Sequence, residues 1–535
     1  MTQHVTVVGS GASGVHFALS LLEKGHSVRL IDAGGDTPEP VLPESGLNEL
    51  KTSLEDPVAY FLGDAFEAVT LPGTEGEYYG FPPHKQPIFA HPPELALETA
   101  GFEPLLSHAA GGLAEAWTAG CYPFDESDLE PFPFGYEAIG PYYDAVARRI
   151  GVTGREDDLA RFMPVHADLL NPIQLDDGSR ALEEAYVLKR SRLNRGLGFY
   201  MGRSRVAALA EPQGDRSACG LLGRCLWGCP TTAFYTPTLT LAECRRYPRF
   251  NYETGTYVRY FTFNRAGRVV SLVISHGDTD ETVDRPVETL ALAAGTLSSS
   301  RILLESLWRG RGERAALSGL MDNRQVLVPF VNLRRIGARY SPDSYQYHQL
   351  SIGLAPDAND PYVHGQVTTL TTAQAHPILQ TMPMDLPSSL FVFRNARAAM
   401  GLVNLNYEDR RRSENRLSLG GTTSRPALRI RYTPAEGEHR RISRSVKRLR
   451  RALRQLGCVV PPGTVHVRPM GASVHYAGTV PMSETPRPHT TSPDGRSHDF
   501  ENLFFVDGTT FPSLPAKNVT FTLMANAMRI AEKAF

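Results

Sequence analysis

Cysteine is scarce. Six thiols in 535 residues (Cys121, Cys219, Cys225, Cys229, Cys244, Cys458) are too few for the disulfide framework of a small secreted scaffold. Charge of one sign is missing as well. Lys+Arg at 55 against Asp+Glu at 57 leaves a net charge of −2, so no global field draws in nucleic acid or an anionic membrane. No apolar run is long enough to cross a bilayer. Met1-Thr2-Gln3-His4 leads directly into Val5-Thr6-Val7-Val8, so no targeting leader is expected and a cytoplasmic, soluble chain is. Internal repeats and low-complexity tracts are absent too. What is present is length enough for two large domains, together with 47 Gly and 40 Pro, which suit a loop-rich enzyme better than a helical bundle.

The glycines are informative near the N-terminus. Val5–Val8 is a short apolar run that suits a buried parallel strand. Gly9-Ser10-Gly11-Ala12-Ser13-Gly14 follows as G-x-G-x-x-G, and Val15–Lys24 then carries a helical apolar pattern. Gly9 permits the tight turn, Gly11 a close approach of the backbone to a pyrophosphate, and Gly14 close packing of helix on strand. The helix N-terminus offers free N–H groups and partial positive charge to phosphates. A second strand, Ser27–Ile31, ends at Asp32, eighteen residues after Gly14. An acid there accepts hydrogen bonds from an adenosine ribose and repels a 2′-phosphate. Strand, helix, strand and acid in this order predict a dinucleotide site, without separating FAD from NAD.

The C-terminal end carries a second pattern. His475 stands in GASVHYAGTVPM, and Asn518 follows forty-three residues later. Asn502–Gly508 (NLFFVDG) reads as a buried strand ending in a turn. Thr520–Phe535 reads as a helix, with Phe521, Met524, Ala525 and Met528 on one stripe. Asn518 therefore falls at a helix start, where an Asn serves as a cap or faces an electron-rich ring.

Together these blocks resemble the glucose–methanol–choline (GMC) oxidoreductase family. The matching stretches are the fingerprint, His475-Tyr476-Ala477-Gly478-Thr479-Val480-Pro481-Met482, Val506-Asp507-Gly508-Thr509-Thr510-Phe511-Pro512, and Asn518 before the last helix. Leu290–Leu304 is similar to the family's internal strand–glycine turn–helix signature, with Ser300 where Pro is usual. Gly111-Gly112-Leu113-Ala114-Glu115-Ala116-Trp117-Thr118 resembles the segment that lies against the flavin, in the form found in pyranose-type sugar oxidases. In those enzymes a His before the Trp can carry a covalent flavin link. Here Ala116 stands in its place, so non-covalent FAD is expected.

The resemblance implies an α/β, Rossmann-type FAD-binding domain with a discontinuous, sheet-based (α+β) substrate subdomain. The expected division is 1–310 for the FAD domain, 311–464 for the substrate subdomain, and 465–535 for a return carrying the catalytic residues. It implies cofactor contacts at Gly9, Gly11, Ala12, Ser13, Gly14, Asp32, Ala33, Gly112, Trp117, Thr118, Val258, Gly295, Asp507, Gly508, Val519 and Thr520. His475 is implied as general base, with its neutral imidazole suited to the task near pH 7, and Asn518 as the group that fixes the hydroxyl. The reaction implied is oxidation of an alcohol, with a sugar, glycoside or sugar-like natural product as substrate. Oxygen or another carrier would take the electrons.

Two other classes remain open. One is a lyase on the same scaffold with redox-silent FAD. The other is a redox-coupling flavoprotein with a metal at Cys219/Cys225/Cys229, a C-x5-C-x3-C cluster that lacks the C-x2-C pair favoured by zinc and iron–sulfur sites. His439–Leu456 holds eight Arg/Lys residues, with Ile442, Val446, Leu449, Leu453 and Leu456 spaced as one helical stripe; its basic side is expected to face water. Thr37–Pro43 reads as a Pro-rich loop.

Overall fold

The computed structural model describes residues 2–35, 43–69, 76–89, 95–276, 281–355, 361–371, 375–421 and 425–535. Apart from Pro43, the expected Pro-rich loop lies outside them.

The short apolar runs near the two termini meet in one parallel sheet. Its strand order is Leu503–Phe505, Thr289–Leu292, His4–Val8, Ser27–Ile31 and Phe250–Glu253, and every pairing is parallel. Val5, Val7, Leu30, Ala291 and Phe505 are fully or almost fully buried, as strands covered by helices on both faces require. The helices Ala12–Glu23 and Thr520–Ala534 pack together on one side of this sheet. The first and last segments of the chain therefore share one core.

A second sheet is antiparallel throughout. Its order is Cys458–Val459, Arg324–Asn332, Met400–Tyr407, Val363–Thr369, Leu350–Leu354 and Phe199–Arg203, with His466–Val467 also paired to Arg324–Asn332. Side chains alternate faces along a strand, and the sequence alternates accordingly. Val326, Val328, Val403, Leu405, Ile352 and Val367 form one apolar face. That face is covered by the helices Asp177–Leu197 and Glu438–Gln455. The basic helix of the sequence thus buries Ile442, Val446, Leu449 and Leu453 on the sheet.

The chain divides differently from the 1–310/311–464 expectation. Phe199–Arg203 pairs with Leu350–Leu354 in the second sheet, register Phe199↔Leu354 to Arg203↔Leu350. The 21-residue helix before it carries the chain across. Conversely, Ala316–Ser318, Arg416–Gly420 and Ala427–Arg431 join Leu97–Ala100 in a four-stranded sheet. Leu317, Leu417, Leu428 and Ile430 of that sheet share a core with Leu297 and Ile302 of the helix Thr296–Arg311. The two sheets are built from interleaved segments, and a cavity of about 370 Å³ opens between them.

Candidate active site

At one end of the cavity the fingerprint glycines do three different things. Gly9 has φ +100°, and a Cβ there would lie 2.7 Å from the Ala293 carbonyl oxygen. A Cβ on Gly14 would lie 1.9 Å from the Gly9 carbonyl oxygen, so only hydrogen lets the helix approach the strand this closely. Gly11 has ordinary extended geometry, and the nearest atom to a Cβ there is Gly111 O at 3.9 Å. Its missing side chain leaves room beside the backbone for something other than protein. Gly14 is not at the cavity surface, whereas Gly9, Gly11, Ala12 and Ser13 are.

Asp32 ends the second strand, buried, with Ala33 beside it on the cavity wall. Its carboxylate accepts from the N–H groups of Ser10 and Gly34, each at 3.2 Å, from Tyr252 OH at 3.3 Å, and from the Ser10 hydroxyl. Burial pushes its pKa up to about 6, against these donors. Ser10 Oγ also accepts from Gly111 N at 2.8 Å. One hydroxyl thus ties the fingerprint, the acid and the Gly111–Gly112 turn together, a role that the motif spacing did not reveal. Gly112, Trp117, Thr118 and Val258 line the same wall, and Trp117 Nε1 is fixed by the Tyr235 carbonyl at 2.9 Å.

Gly295, Asp507 and Gly508 line the cavity nearby, but the Asp507 carboxylate is spent on protein. It accepts from Gly295 N (2.9 Å), Ser299 Oγ (2.6 Å), Thr509 N (3.0 Å) and Thr509 Oγ1 (2.7 Å). It clamps the internal glycine turn to the C-terminal return. Arg301, one turn along that helix, was missed by the motif reading. It lines the cavity; among the described residues its Nε meets no hydrogen-bond partner, its Nη2 lies 3.6 Å from Glu305 Oε2, and burial pulls its pKa down to about 10. A buried guanidinium with an open Nε, the open cradle at Gly11 and the acid at Asp32 fit a dinucleotide such as FAD.

The opposite end holds His475 and Asn518. The terminal helix begins at Thr520 with Val519 as N-cap and no side-chain cap. Asn518 is thus not the cap the sequence suggested, although Val519 and Thr520 line the cavity as expected. Its side chain turns toward the second sheet: Gln366 Nε2 donates to Asn518 Oδ1 at 2.9 Å. That contact leaves Asn518 Nδ2 facing His475 Nε2 at 3.4 Å.

The His475 ring is locked from its other side. Asn323 Nδ2 donates to the carbonyls of Tyr407 (2.8 Å) and Pro515 (2.9 Å), so Asn323 Oδ1 is the end that meets His475 Nδ1, at 3.1 Å. A carbonyl oxygen only accepts, so Nδ1 carries the hydrogen and Nε2 keeps its lone pair. The backbone is held as well. His475 N donates to Ser473 Oγ (3.0 Å), Ser473 Oγ donates to Asp322, and Gly471 N donates to Asp322 Oδ2 (2.6 Å). Val474 sits at φ +63°, a costly conformation for a β-branched residue that recurs where backbone aims a functional group. Burial lowers the His475 pKa to about 4 and raises that of Asp322 to about 7.

Cys219, Cys225 and Cys229 are free, partly buried and packed against the core beneath the cavity wall. Among the described residues no group of three or more His, Cys, Asp or Glu is placed to hold a metal, so their side chains serve as small apolar fillers here. Nor is any helix of the described residues long and apolar enough to cross a membrane.

Residues 411–527 match the family described as GMC oxidoreductase. The chain is similar to paromamine 6'-oxidase of Streptomyces fradiae, 24% identical over 99% of this chain and 90% of that one. It is also similar to 6'''-hydroxyparomomycin C oxidase of Streptomyces lividus, 23% identical over 98% and 90%. The fold matches that of pyridoxine 4-oxidase from Mesorbium loti with a TM-score of 0.62, at 16% identity and 99% coverage of both chains.

Proposed function

We propose that this chain, whose residues 411–527 match the GMC oxidoreductases, oxidises a hydroxyl group of a sugar, glycoside or sugar-like compound to a carbonyl, with His475 as base and Asn518 as the group that holds the reacting oxygen. Members of this family depend on FAD, and when bound it supplies the hydride acceptor. The residues that would hold it are Gly9–Ser13, Asp32 and Arg301 at the adenosine and pyrophosphate end, and Gly112, Thr118, Gly508 and Thr520 toward the reacting end. Ala116 offers no nucleophile for a covalent link, which supports non-covalent binding.

One observation carries this reading. The Nε2 lone pair of His475 and an Nδ2 donor of Asn518 meet each other at one point of the cavity wall, 3.4 Å apart, and each is oriented from behind by a second amide. A hydroxyl at that point donates its proton to Nε2 while its oxygen accepts from Nδ2. As the O–H proton moves to Nε2, the oxygen gains alkoxide character and the Asn518 bond strengthens, which is the differential binding that lowers a barrier. The uncapped start of the terminal helix adds partial positive charge at the same end. The two similar oxidases named for paromamine and 6'''-hydroxyparomomycin C support a sugar-like substrate.

Rapid anaerobic mixing of the holoenzyme with a working sugar substrate tests this directly. His475→Ala is expected to keep FAD and slow flavin bleaching on the order of 10²–10⁴-fold. Asn518→Ala also slows it, and the double variant loses less than the product of the two, since both groups act on one oxygen. Bleaching at the parent rate in either variant removes that residue from the mechanism. Turnover with the flavin still yellow would point to the redox-silent lyase reaction.

A further inference from the structure

The second sheet turns a polar face toward the cavity, and among the described residues two atoms on it are unspent, His364 Nε2 away from the cavity lining and Asn404 Oδ1 on it. Opposite the apolar face described above, the alternating positions are Gln325, His364, Gln366, Asn404 and Asn406, and three of them, Gln325, Gln366 and Asn404, line the cavity. Gln325 donates to Asn406 Oδ1 at 2.8 Å and accepts from Arg468. Gln366 donates to Asn518. Asn404 Oδ1 is buried and meets no donor among the described residues. A buried amide oxygen left unpaired is costly, so its presence at a cavity wall indicates a ligand that pairs with it.

Its position relative to the reacting centre is set by the ladder. Asn404 lies directly opposite Gln366, which places the two Cβ atoms about 4.5–5.5 Å apart, and Gln366 holds Asn518. Asn404 therefore stands one side-chain width from the site where the hydroxyl loses its proton. Tyr79 and Phe81 line the cavity too, stacked at 5.4 Å and 11°. Arg468 ties this wall to the polar row: its guanidinium lies 4.8 Å from the Tyr79 ring centre and bonds Gln325.

We propose that Asn404 is a second hydroxyl subsite. The substrate is then a polyhydroxylated ring, with one hydroxyl at His475/Asn518, a neighbouring hydroxyl on the Asn404 amide, and an apolar ring face against Tyr79 and Phe81. A hydroxyl both donates and accepts, so it satisfies either end of a carboxamide; a bare carbon satisfies neither. The proposal rests on the alcohol-oxidising reading above and adds Asn404 as its specificity-determining residue.

The test uses the FAD-loaded full chain and anaerobic flavin reduction. The probes are methyl glucoside, methyl galactoside and methyl mannoside, the mono-deoxy analogues of whichever is fastest, and benzyl alcohol as a monohydric control. The parent enzyme is expected to prefer the full glycoside over one mono-deoxy analogue by about 10–100-fold in kcat/KM. Asn404→Ala is expected to lose that factor on the full glycoside only, so that the preference collapses toward one while benzyl alcohol is unaffected. Asn404→Ser, smaller but still polar, gives the same reading if the alanine variant fails to accumulate with FAD. An equal loss on every substrate, or an unchanged preference, overturns the subsite. Flavin reduction by benzyl alcohol but by no glycoside overturns the subsite alone. Flavin reduction by none of the probes overturns the sugar-oxidising reading, and the subsite falls with it.

Discussion

At the scale of single residues, the site depends on which nitrogen of His475 is bare and on how readily it stays so. Burial holds its pKa near 4, well under the ordinary 6.5 of an imidazole. A base must be unprotonated, so a depressed pKa extends its working range toward acid. The rate of flavin reduction at low substrate is expected to stay level from pH 7 to about 5 and to fall through about 4. A fall beginning at 6.5 would mean an exposed ring. Replacing Asn323 by Asp puts a carboxylate against Nδ1, favours the imidazolium, and is expected to move this acid limb upward in the same pH profile. Ala116 leads to a simpler expectation. Acid or heat precipitation should leave yellow FAD in the supernatant, and flavin retained on the pellet would place a covalent link elsewhere.

At the scale of elements, the fingerprint turn separates two kinds of glycine that the sequence writes identically. A methyl group at Gly11 meets no protein atom within 3.9 Å, whereas at Gly14 it would overlap the Gly9 carbonyl at 1.9 Å. Gly11→Ala is therefore expected to fold, with apoprotein Tm near the parent's, yet to lose FAD affinity because the methyl occupies the cofactor's space. Gly14→Ala should lower Tm itself, by prising helix from strand. Calorimetry of the apoproteins and FAD titration together distinguish the two. The terminal helix shows the limit of reading ends locally. Its start was legible to the residue, but Asn518 was drawn off its cap by Gln366, a strand residue 152 positions away.

At the scale of the whole molecule, one buried acid joins the two halves of the site. Asp322 precedes the strand Arg324–Asn332 of the second sheet and holds the Gly471–Ser473 turn that presents His475. Its folded-state pKa, about 7 against an ordinary 3.8, means the native protein keeps a proton that the unfolded chain releases. That contribution to stability is fully present below about pH 3.8 and is lost as pH rises through about 7. Relative to Asp322→Asn, which cannot titrate, the parent protein should gain Tm as pH falls from 8 to 4. A Tm difference independent of pH would show that Asp322 titrates normally.

Much of the fold and of the candidate site was legible in the sequence alone. Glycines that must adopt φ > 0 or tolerate close contact, an acid at a strand end, and short apolar runs between turns are local requirements. Each is met within a few residues, so spacing records them. The fingerprint and Asp32 were read this way, His475, Asn518 and the rest of the expected wall through the family resemblance, and nearly all of them line one cavity. Gly14 alone stands back from it, with the packing role that its spacing implied. What only the tertiary structure decided is who stands behind them. Phe199–Arg203 joins the second sheet by pairing with Leu350–Leu354 and burying Phe199 and Met201 in its core, a partner that its own five residues do not specify. Asn323 stands just ahead of one strand, and Gln366 and Asn404 are ordinary amides within strands that carry no motif. Their roles follow from register, which sets every other side chain of an antiparallel sheet toward the cavity. Register is settled by apolar residues on the opposite face, packed under two helices from distant parts of the chain.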